Sequence, residues 1–224
     1  MYTDFQKWIS TLSFSYFDLV VLVWLAVGLF RGRKQGMSQE LLPMLKWLAI
    51  VGLAGSFYRP VSAFIRQNIP DAFTPLWANR AGWLLIAVGV LLVFAWLKKM
   101  FGEKLLGSDL FGGAEYYLGM LGGMVRFACM LVAALALMNS RIVSKEELAQ
   151  TEAMQKKNLE DIRLPTYGTI QQAVLFHSFT GTQVKGHLSF VLIAPVPPDQ
   201  VKRPETPAQK TGDIINQVIG ATNK

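Results

Sequence analysis

The chain has 224 residues, of which 52% are hydrophobic and 17% are charged, and its net charge is +7. Ordinary soluble domains carry roughly 25% charged residues, so this composition favours a membrane protein. The positive excess forms no dense basic patch interleaved with aromatic residues, which argues against nucleic acid as a partner. Cys129 is the single cysteine of the sequence, which excludes disulfides and a cysteine-based metal site within one chain.

Residues 1–15 carry aromatic and aliphatic side chains at roughly helical spacing. This pattern predicts a short lead-in helix at the membrane interface. The first apolar run, residues 17–30, is short for a span and contains Asp18 near its start. A carboxylate at that place lies at headgroup level and caps the helix N-terminus, where the helix dipole favours an anion.

The link between the first two apolar runs is rich in cations and glycines. Three cations within four positions are typical of a cytoplasmic loop: Arg31, Arg33 and Lys34. Gly32 and Gly36 are four residues apart, a spacing that permits close helix contact or a tight bend. The second run, residues 41–57, contains Pro43 in its first turn, where proline is tolerated. It also contains Lys46, whose long side chain reaches back to the interface.

The longest link, residues 58–80, contains three prolines. Within it, residues 61–69 have an amphipathic pattern, which predicts a segment that lies on the membrane surface. The third apolar run, residues 81–97, has no charged residue, and three lysines follow it closely: Lys98, Lys99 and Lys104.

The fourth run, residues 118–138, is long enough to cross a hydrocarbon core of ~30 Å and contains one charged residue, Arg126. A guanidinium at mid-span costs roughly 2.5–3.5 kcal/mol on insertion scales, so we expect this side chain to face protein or water. Gly119, Gly123 and Arg126 follow the i, i+4, i+7 spacing of one helix face. Glu115 lies on nearly the same face, about three turns earlier.

This stripe has two interpretations: a packing seam whose arginine reaches the interface, or a polar feature inside a helix bundle. Because small residues four apart let another helix approach closely, we predict that this face packs against another span. An arginine within the membrane needs partners for its five donors, and Glu115 is too far away along the same helix. We therefore predict a carboxylate from another segment, with Glu40 as the first choice and Asp18 as the second.

The predicted fold class is all-α: a four-span transmembrane helix bundle in residues 1–140, followed by a C-terminal tail in residues 141–224. The tail is predicted to be helical to about residue 180, in two helices over residues 144–162 and 166–179. Residues 188–196 are apolar but too short to span, which predicts a packed or interfacial segment. Residues 194–212 contain five prolines and are predicted to be a disordered linker.

The order and spacing of these residues resemble the colicin V production (CvpA) family of small bacterial membrane proteins. The first half of the family pattern is an acid that opens span one, an RG-rich link, and a Glu and a Trp in span two. The matching residues are Asp18, Arg31, Gly32, Gly36, Glu40 and Trp47. The second half is an acid, two glycines four apart and an arginine three residues later, matched by Glu115, Gly119, Gly123 and Arg126. The resemblance covers roughly residues 15–180.

The chain departs from the family pattern at the second acid. The family usually has Asp where this chain has Glu115, often followed by Arg, and here Tyr116 follows instead. Asp109, in the LxGxD context of residues 106–109, is the competing candidate for that acid. The link before span four is longer than in the family, and the tail beyond Ser189 has no counterpart in it.

The resemblance implies a four-span protein of the bacterial inner membrane, linked to colicin V production or export and to envelope resistance. Some relatives carry a periplasmic trypsin-like protease after the fourth span, which implies that both termini lie outside the cytoplasm. The cations are also denser in the two links assigned to the cytoplasm, residues 31–34 and 98–104, than in the other links.

We expect no enzymatic activity and no cofactor, because His177 and His187 have neither zinc-ligand nor catalytic spacing and no nucleotide-binding motif occurs. Three classes of function remain. The first is an accessory protein that supports toxin production, toxin export or envelope homeostasis through contacts with a protein partner or a second copy. The second is a small channel or transporter subunit with a polar path at Arg126 and Lys46. The third is a membrane anchor for a soluble partner. All three take the lipid bilayer as a partner.

Overall fold

The computed structural model describes residues 15–69, 74–106, 112–159 and 166–197, and every element in these ranges is a helix, as predicted. The elements are α1 (Tyr16–Gln35), α2 (Met37–Ala49), a π-helical stretch (Ile50–Ala54), α3 (Gly55–Asn68), α4 (Pro75–Leu106), a 3-10 turn (Gly112–Ala114), α5 (Glu115–Met138), α6 (Lys145–Leu159), α7 (Tyr167–Leu175) and α8 (Phe179–His187). The predicted lead-in helix up to residue 14, Asp109 and most of the predicted linker over 194–212 lie outside the described residues.

Among the described residues, three helices are long and apolar enough to cross a membrane: Met37–Asn68, Pro75–Met100 and Gly112–Met138. The first predicted span, now α1, is not one of them. Any 18 residues of α1 include Asp18 and at least two of the three cations near its end. Its uncharged part, between Asp18 and Arg31, is much shorter than the ~20 residues that a span needs. The predicted count of four spans is therefore not confirmed.

The second span is longer than predicted. The helix runs without a break from α2 through the π-helical stretch into α3, and it includes the segment over residues 61–69 that was predicted to be separate. α3 packs along α4: the hydroxyl of Ser62 donates to Asn79 at 2.6 Å, and a Cβ on Gly82 would lie 3.0 Å from the carbonyl oxygen of Tyr58. The amphipathic pattern is the same for a helix that packs on protein and for one that lies on lipid, so it could not distinguish the two.

Two clusters of buried side chains form the core. One joins the continuous helix over residues 37–68 to α4, α5 and the tail, through Ile50, Ala54, Tyr58, Trp83, Ala87, Val90, Ala133 and Ile193. The other joins α5 to the tail, through Val132, Leu135, Ala136, Val174, Leu175, Val184, Val191 and Leu192. The C-terminal part of the described chain is thus part of the bundle's core.

The segment over residues 188–196 packs through its part from Val191 to Val196, one of the two possibilities that the sequence left open, while Phe190 is exposed. Ile193 is fully buried, its carbonyl accepts from the amide of Asn139 at 3.0 Å, and the backbone N–H of Ala194 donates to the Tyr58 hydroxyl at 2.8 Å. The predicted helix over 166–179 ends earlier, at Leu175, and α8 was not predicted. Ser178 starts α8, because its hydroxyl caps the new helix by accepting from the Gly181 N–H at 2.9 Å.

Candidate functional site

The predicted stripe of small residues on α5 packs against α1, and we call this contact the glycine seam. The two helices meet through five glycines: Gly28 and Gly32 of α1, Gly36 directly after α1, and Gly119 and Gly123 of α5. A Cβ on Gly123 would collide with the carbonyl oxygen of Gly28, and a Cβ on Gly119 would lie 2.5 Å from that of Gly32. The backbones are therefore too close for any side chain. The sequence analysis missed Gly28, although it stands four residues before Gly32.

The seam continues beyond the glycines toward the start of α1. The indole Nε1 of Trp24 donates to the Phe127 carbonyl at 3.1 Å, and the two aromatic rings lie 5.0 Å apart between centroids. Phe17 packs against the buried cluster that contains Val132 and Ala136. Since Gly36 contacts Gly119 at the other end, α1 runs antiparallel to α5 along nearly its whole length.

Gly36 has a second role, because it makes the turn between α1 and α2. Its φ of +77° is accessible to glycine but rarely to other residues, and its N–H donates to the Gly32 carbonyl at 2.9 Å. The GxxxG spacing in this link allowed close contact or a tight bend. The structure uses it for both, since Gly32 lies in the seam and Gly36 lies at the bend.

Glu115 is buried at the start of α5 and caps the N-terminus of α2. Its carboxylate accepts from the backbone N–H of Ser38 at 2.7 Å and from the Ser38 hydroxyl at 3.1 Å, and its side chain lies against Gly36. The first backbone N–H groups of a helix have no partner within the helix, and the helix dipole favours an anion there. Glu115 therefore fixes the α1–α2 turn to α5.

Arg126 pairs with Glu40, the partner that the sequence analysis placed first. One guanidinium nitrogen, Nη1, lies 3.1 Å and 3.0 Å from the two carboxylate oxygens. The Glu40 side chain is fully buried, whereas that of Arg126 is 16% exposed. The Arg126 Nε is buried without a hydrogen-bond partner in the described part of the chain. The pair joins α2 to α5, directly beside the glycine seam.

Asp18, the second-choice partner, does not contact Arg126 and serves instead at the other end of α1. Its carboxylate accepts from the Ser15 N–H at 2.9 Å, which is the predicted cap on its own helix. It also accepts from the backbone N–H groups of Phe179 and Thr180 and from the Thr180 hydroxyl, at 3.1, 2.9 and 2.7 Å. Asp18 thus caps α8 as well and ties the tail to α1, a role that no local sequence signal indicates.

A cavity of about 520 Å³ lies beside the Arg126–Glu40 pair, and we call it the basic cavity. Among the described residues, its lining includes four cations, Arg31, Lys46, Lys98 and Arg126, and no carboxylate. The other lining residues are Gln35, Ser38, Gln39, Leu42, Pro43, Leu91, Phe94 and Ala95. Trp47, the other family-like residue of the second span, lies elsewhere and packs against the core cluster around Ile50. No group of three possible metal ligands occurs among the described residues.

The fold and this site define a helical membrane protein whose buried charges lie at contacts between helices. Comparison with known families then gives the particular family. The model of the Colicin V production protein family matches residues 17–180, so the chain belongs to that family. The matched region extends from the start of α1 to Thr180, and it contains the glycine seam and the three acids that are buried among the described residues. No curated protein and no solved structure matches the chain.

Proposed function

We propose that this protein is an accessory protein of the bacterial inner membrane that supports toxin production, toxin export or envelope homeostasis through protein contacts, without a catalytic step of its own. Family membership supports a membrane accessory role. The observation that favours contact over transport is the use of the acids: Asp18, Glu40 and Glu115 are buried, and each joins two helices. A carboxylate bonded in this way is not free to bind a moving solute.

The proposal includes a fourth span, α1. From Asp18 to Gly36, a helix with a rise of 1.5 Å per residue covers about 27 Å, close to the ~30 Å of a hydrocarbon core. α1 also lies antiparallel to α5, which is apolar and long enough to cross. The glycine contacts along α1 therefore support a helix that accompanies α5 through the bilayer despite its charged ends.

The proposed orientation places both termini in the periplasm. Arg31 and Lys98 line the same cavity, so the cation-rich ends of α1 and α4 lie at one end of the bundle. The positive-inside bias assigns that end to the cytoplasm. The test is a fusion at the C-terminus, residue 224, because residues 188–196 pack into the core and an earlier fusion would remove them. Alkaline phosphatase should be active there and a fluorescent protein dark, and the reverse pattern would invert the topology.

A channel or transporter subunit is the second candidate, because the basic cavity is lined by Arg126 and Lys46. The two candidates differ in water access. A cysteine at position 46, in a chain with Cys129→Ser, should react with a membrane-impermeant maleimide from the cytoplasmic side alone if the cavity is closed toward the periplasm. Reaction from both sides would favour a transport path. The third candidate, an anchor for a soluble partner, requires that deletion of the tail abolishes function while the spans still insert.

The accessory role is tested by deleting the gene in its own bacterium and supplying the full chain in trans. We expect the deletion strain to become sensitive to anionic detergents or to lose toxin secretion, and the full chain to restore the phenotype. Purification in a mild detergent, followed by mass spectrometry, should then recover a stoichiometric protein partner or a second copy. A deletion without a phenotype, together with a chain that purifies alone as a monomer, would contradict the proposal.

A further inference from the structure

Within the part of the chain that the structure describes, the basic cavity carries more positive charge than nearby carboxylates compensate. Of its four cations, Arg126 is paired with Glu40, which leaves three without a carboxylate partner. Arg31, Lys46 and Lys98 form no ion pair with any residue in the part of the chain that the structure describes. Lys46 lines this cavity together with Arg126 and Lys98. Like charges this close together at the edge of a membrane are unfavourable unless an anion lies between them.

The direction of the side chains brings these charges to one level. Side chains on a helix lean toward its N-terminus, and both α2 and α5 begin at the cation-rich end of the bundle. Lys46 and Arg126 therefore lean toward the same end of the bundle as Arg31 and Lys98, which are exposed. The four cations thus surround a position near the membrane interface rather than the middle of the hydrocarbon core.

The remaining lining indicates what kind of anion fits. One wall is apolar and is formed by Leu42 of α2 and by Leu91, Phe94 and Ala95 of α4. Leu91 and Ala95 are exposed, and they lie within an apolar span, so this part of the lining is suited to contact with lipid. The volume of about 520 Å³ falls in the range of sites for drug-sized molecules and is far larger than one inorganic ion needs.

We propose that the basic cavity binds the phosphate headgroup of an anionic lipid, with the first carbons of the lipid's tails against the apolar wall. Basic pockets between transmembrane helices on the cytoplasmic side are suited to such headgroups. Three cations that have no carboxylate partner among the described residues favour a lipid with two phosphates over a lipid with one. The inference rests on the proposed membrane embedding, but not on the role in toxin production or export. It is tested on the purified protein, so its failure is distinguishable from a failure of that role.

The experiment uses the full chain in a neutral detergent, titrated with three lipids: cardiolipin with two phosphates, phosphatidylglycerol with one, and zwitterionic phosphatidylcholine. Retained lipid is counted by native mass spectrometry, and thermal stabilisation by each lipid is measured in parallel. The test variant is Lys46→Gln/Lys98→Gln. The control is Lys99→Gln, because Lys99 is exposed on the same helix next to Lys98 but does not line the cavity.

We expect the parent chain and Lys99→Gln to retain cardiolipin most strongly and phosphatidylcholine least. The double variant should bind cardiolipin about 30-fold more weakly, from the typical contribution of two lysines near a charged lipid surface. Without lipid it should be at least as stable as the parent, because two mutually repelling charges are gone. This second measurement shows that the double variant is folded.

Three results would overturn the proposal. Equal retention of all three lipids would show ordinary lipid contact. An equal loss in Lys99→Gln would show general surface attraction in place of a site. Retention of inorganic phosphate by the parent chain, with no retention of any of the three lipids, would show that the cavity binds a free anion and that a lipid is not its ligand.

Discussion

Replacing Arg126 with alanine should strongly destabilise the bundle, because the substitution leaves the buried Glu40 carboxylate without its partner. The Glu40 side chain is fully buried, and both of its carboxylate oxygens are bonded to the Arg126 Nη1. Without the guanidinium, a carboxylate would remain in a low-dielectric site with no counter-charge. Removing one partner of a buried pair typically costs ~3–5 kcal/mol. We expect a loss of this size in the free energy of unfolding, measured in bicelles or mild detergent.

The opposite change, Glu40→Gln, should cost less, although it breaks the same pair. Arg126 is 16% exposed and lines the basic cavity, so its charge can turn toward water or an anion there. The loss should be about 1.5–3 kcal/mol, the usual contribution of a hydrogen bond to a charged group. In the double variant the two losses should be less than additive. If Arg126→Ala is as stable as the parent but inactive, the pair does not hold the bundle, and the transport function gains support.

Three further changes test the other contacts. Gly123→Ala should lower the free energy of unfolding by about 1–3 kcal/mol in thermal unfolding, because its Cβ would collide with the Gly28 carbonyl. The control Gly89→Ala has open space around its Cβ and should be neutral or stabilising. Equal effects of the two changes would refute the seam. Glu115→Ala should cost about 0.5–2 kcal/mol through the lost cap on α2, and faster amide exchange at Ser38 should accompany it; unchanged exchange would refute the cap. Asp18→Ala should speed amide exchange at Phe179 and Thr180 while exchange in α5 stays unchanged, and a uniform change would contradict the local tie between α1 and the tail.

The local features of the site could be predicted because they follow helical spacing. Gly119, Gly123 and Arg126 recur at intervals of four and three residues, and this spacing alone places them on one helix face. The charge of Arg126 required a carboxylate from another segment, and Glu40, at the start of the second span, was the first choice. The same reasoning extends to Gly28, four residues before Gly32, which the sequence analysis overlooked.

The remaining features depend on contacts between distant parts of the chain. Asp18 bonds to Thr180 across 162 positions, and no pattern near either residue indicates the other. α3 continues the second span because Ser62 and Tyr58 pack on α4. The amphipathic pattern of a helix does not indicate whether its apolar face packs on protein or on lipid. The tail enters the core through Ile193. The length of the surrounding apolar segment excluded a membrane span, but it did not indicate where in the protein the segment packs.

The central claim is that α1 packs against α5 along the glycine seam, and a cross-link in native membranes tests it most directly. The test variant carries Trp24→Cys and Phe127→Cys in a chain with Cys129→Ser. These substitutions replace the two residues whose ring centroids lie 5.0 Å apart. A control pair uses Leu22, which is 68% exposed, in place of Trp24. With a short, membrane-permeable bis-maleimide, we predict a high yield of the 24–127 cross-link within one chain and little with the control. Equal yields for the two pairs, or links that form only between chains, would contradict the account.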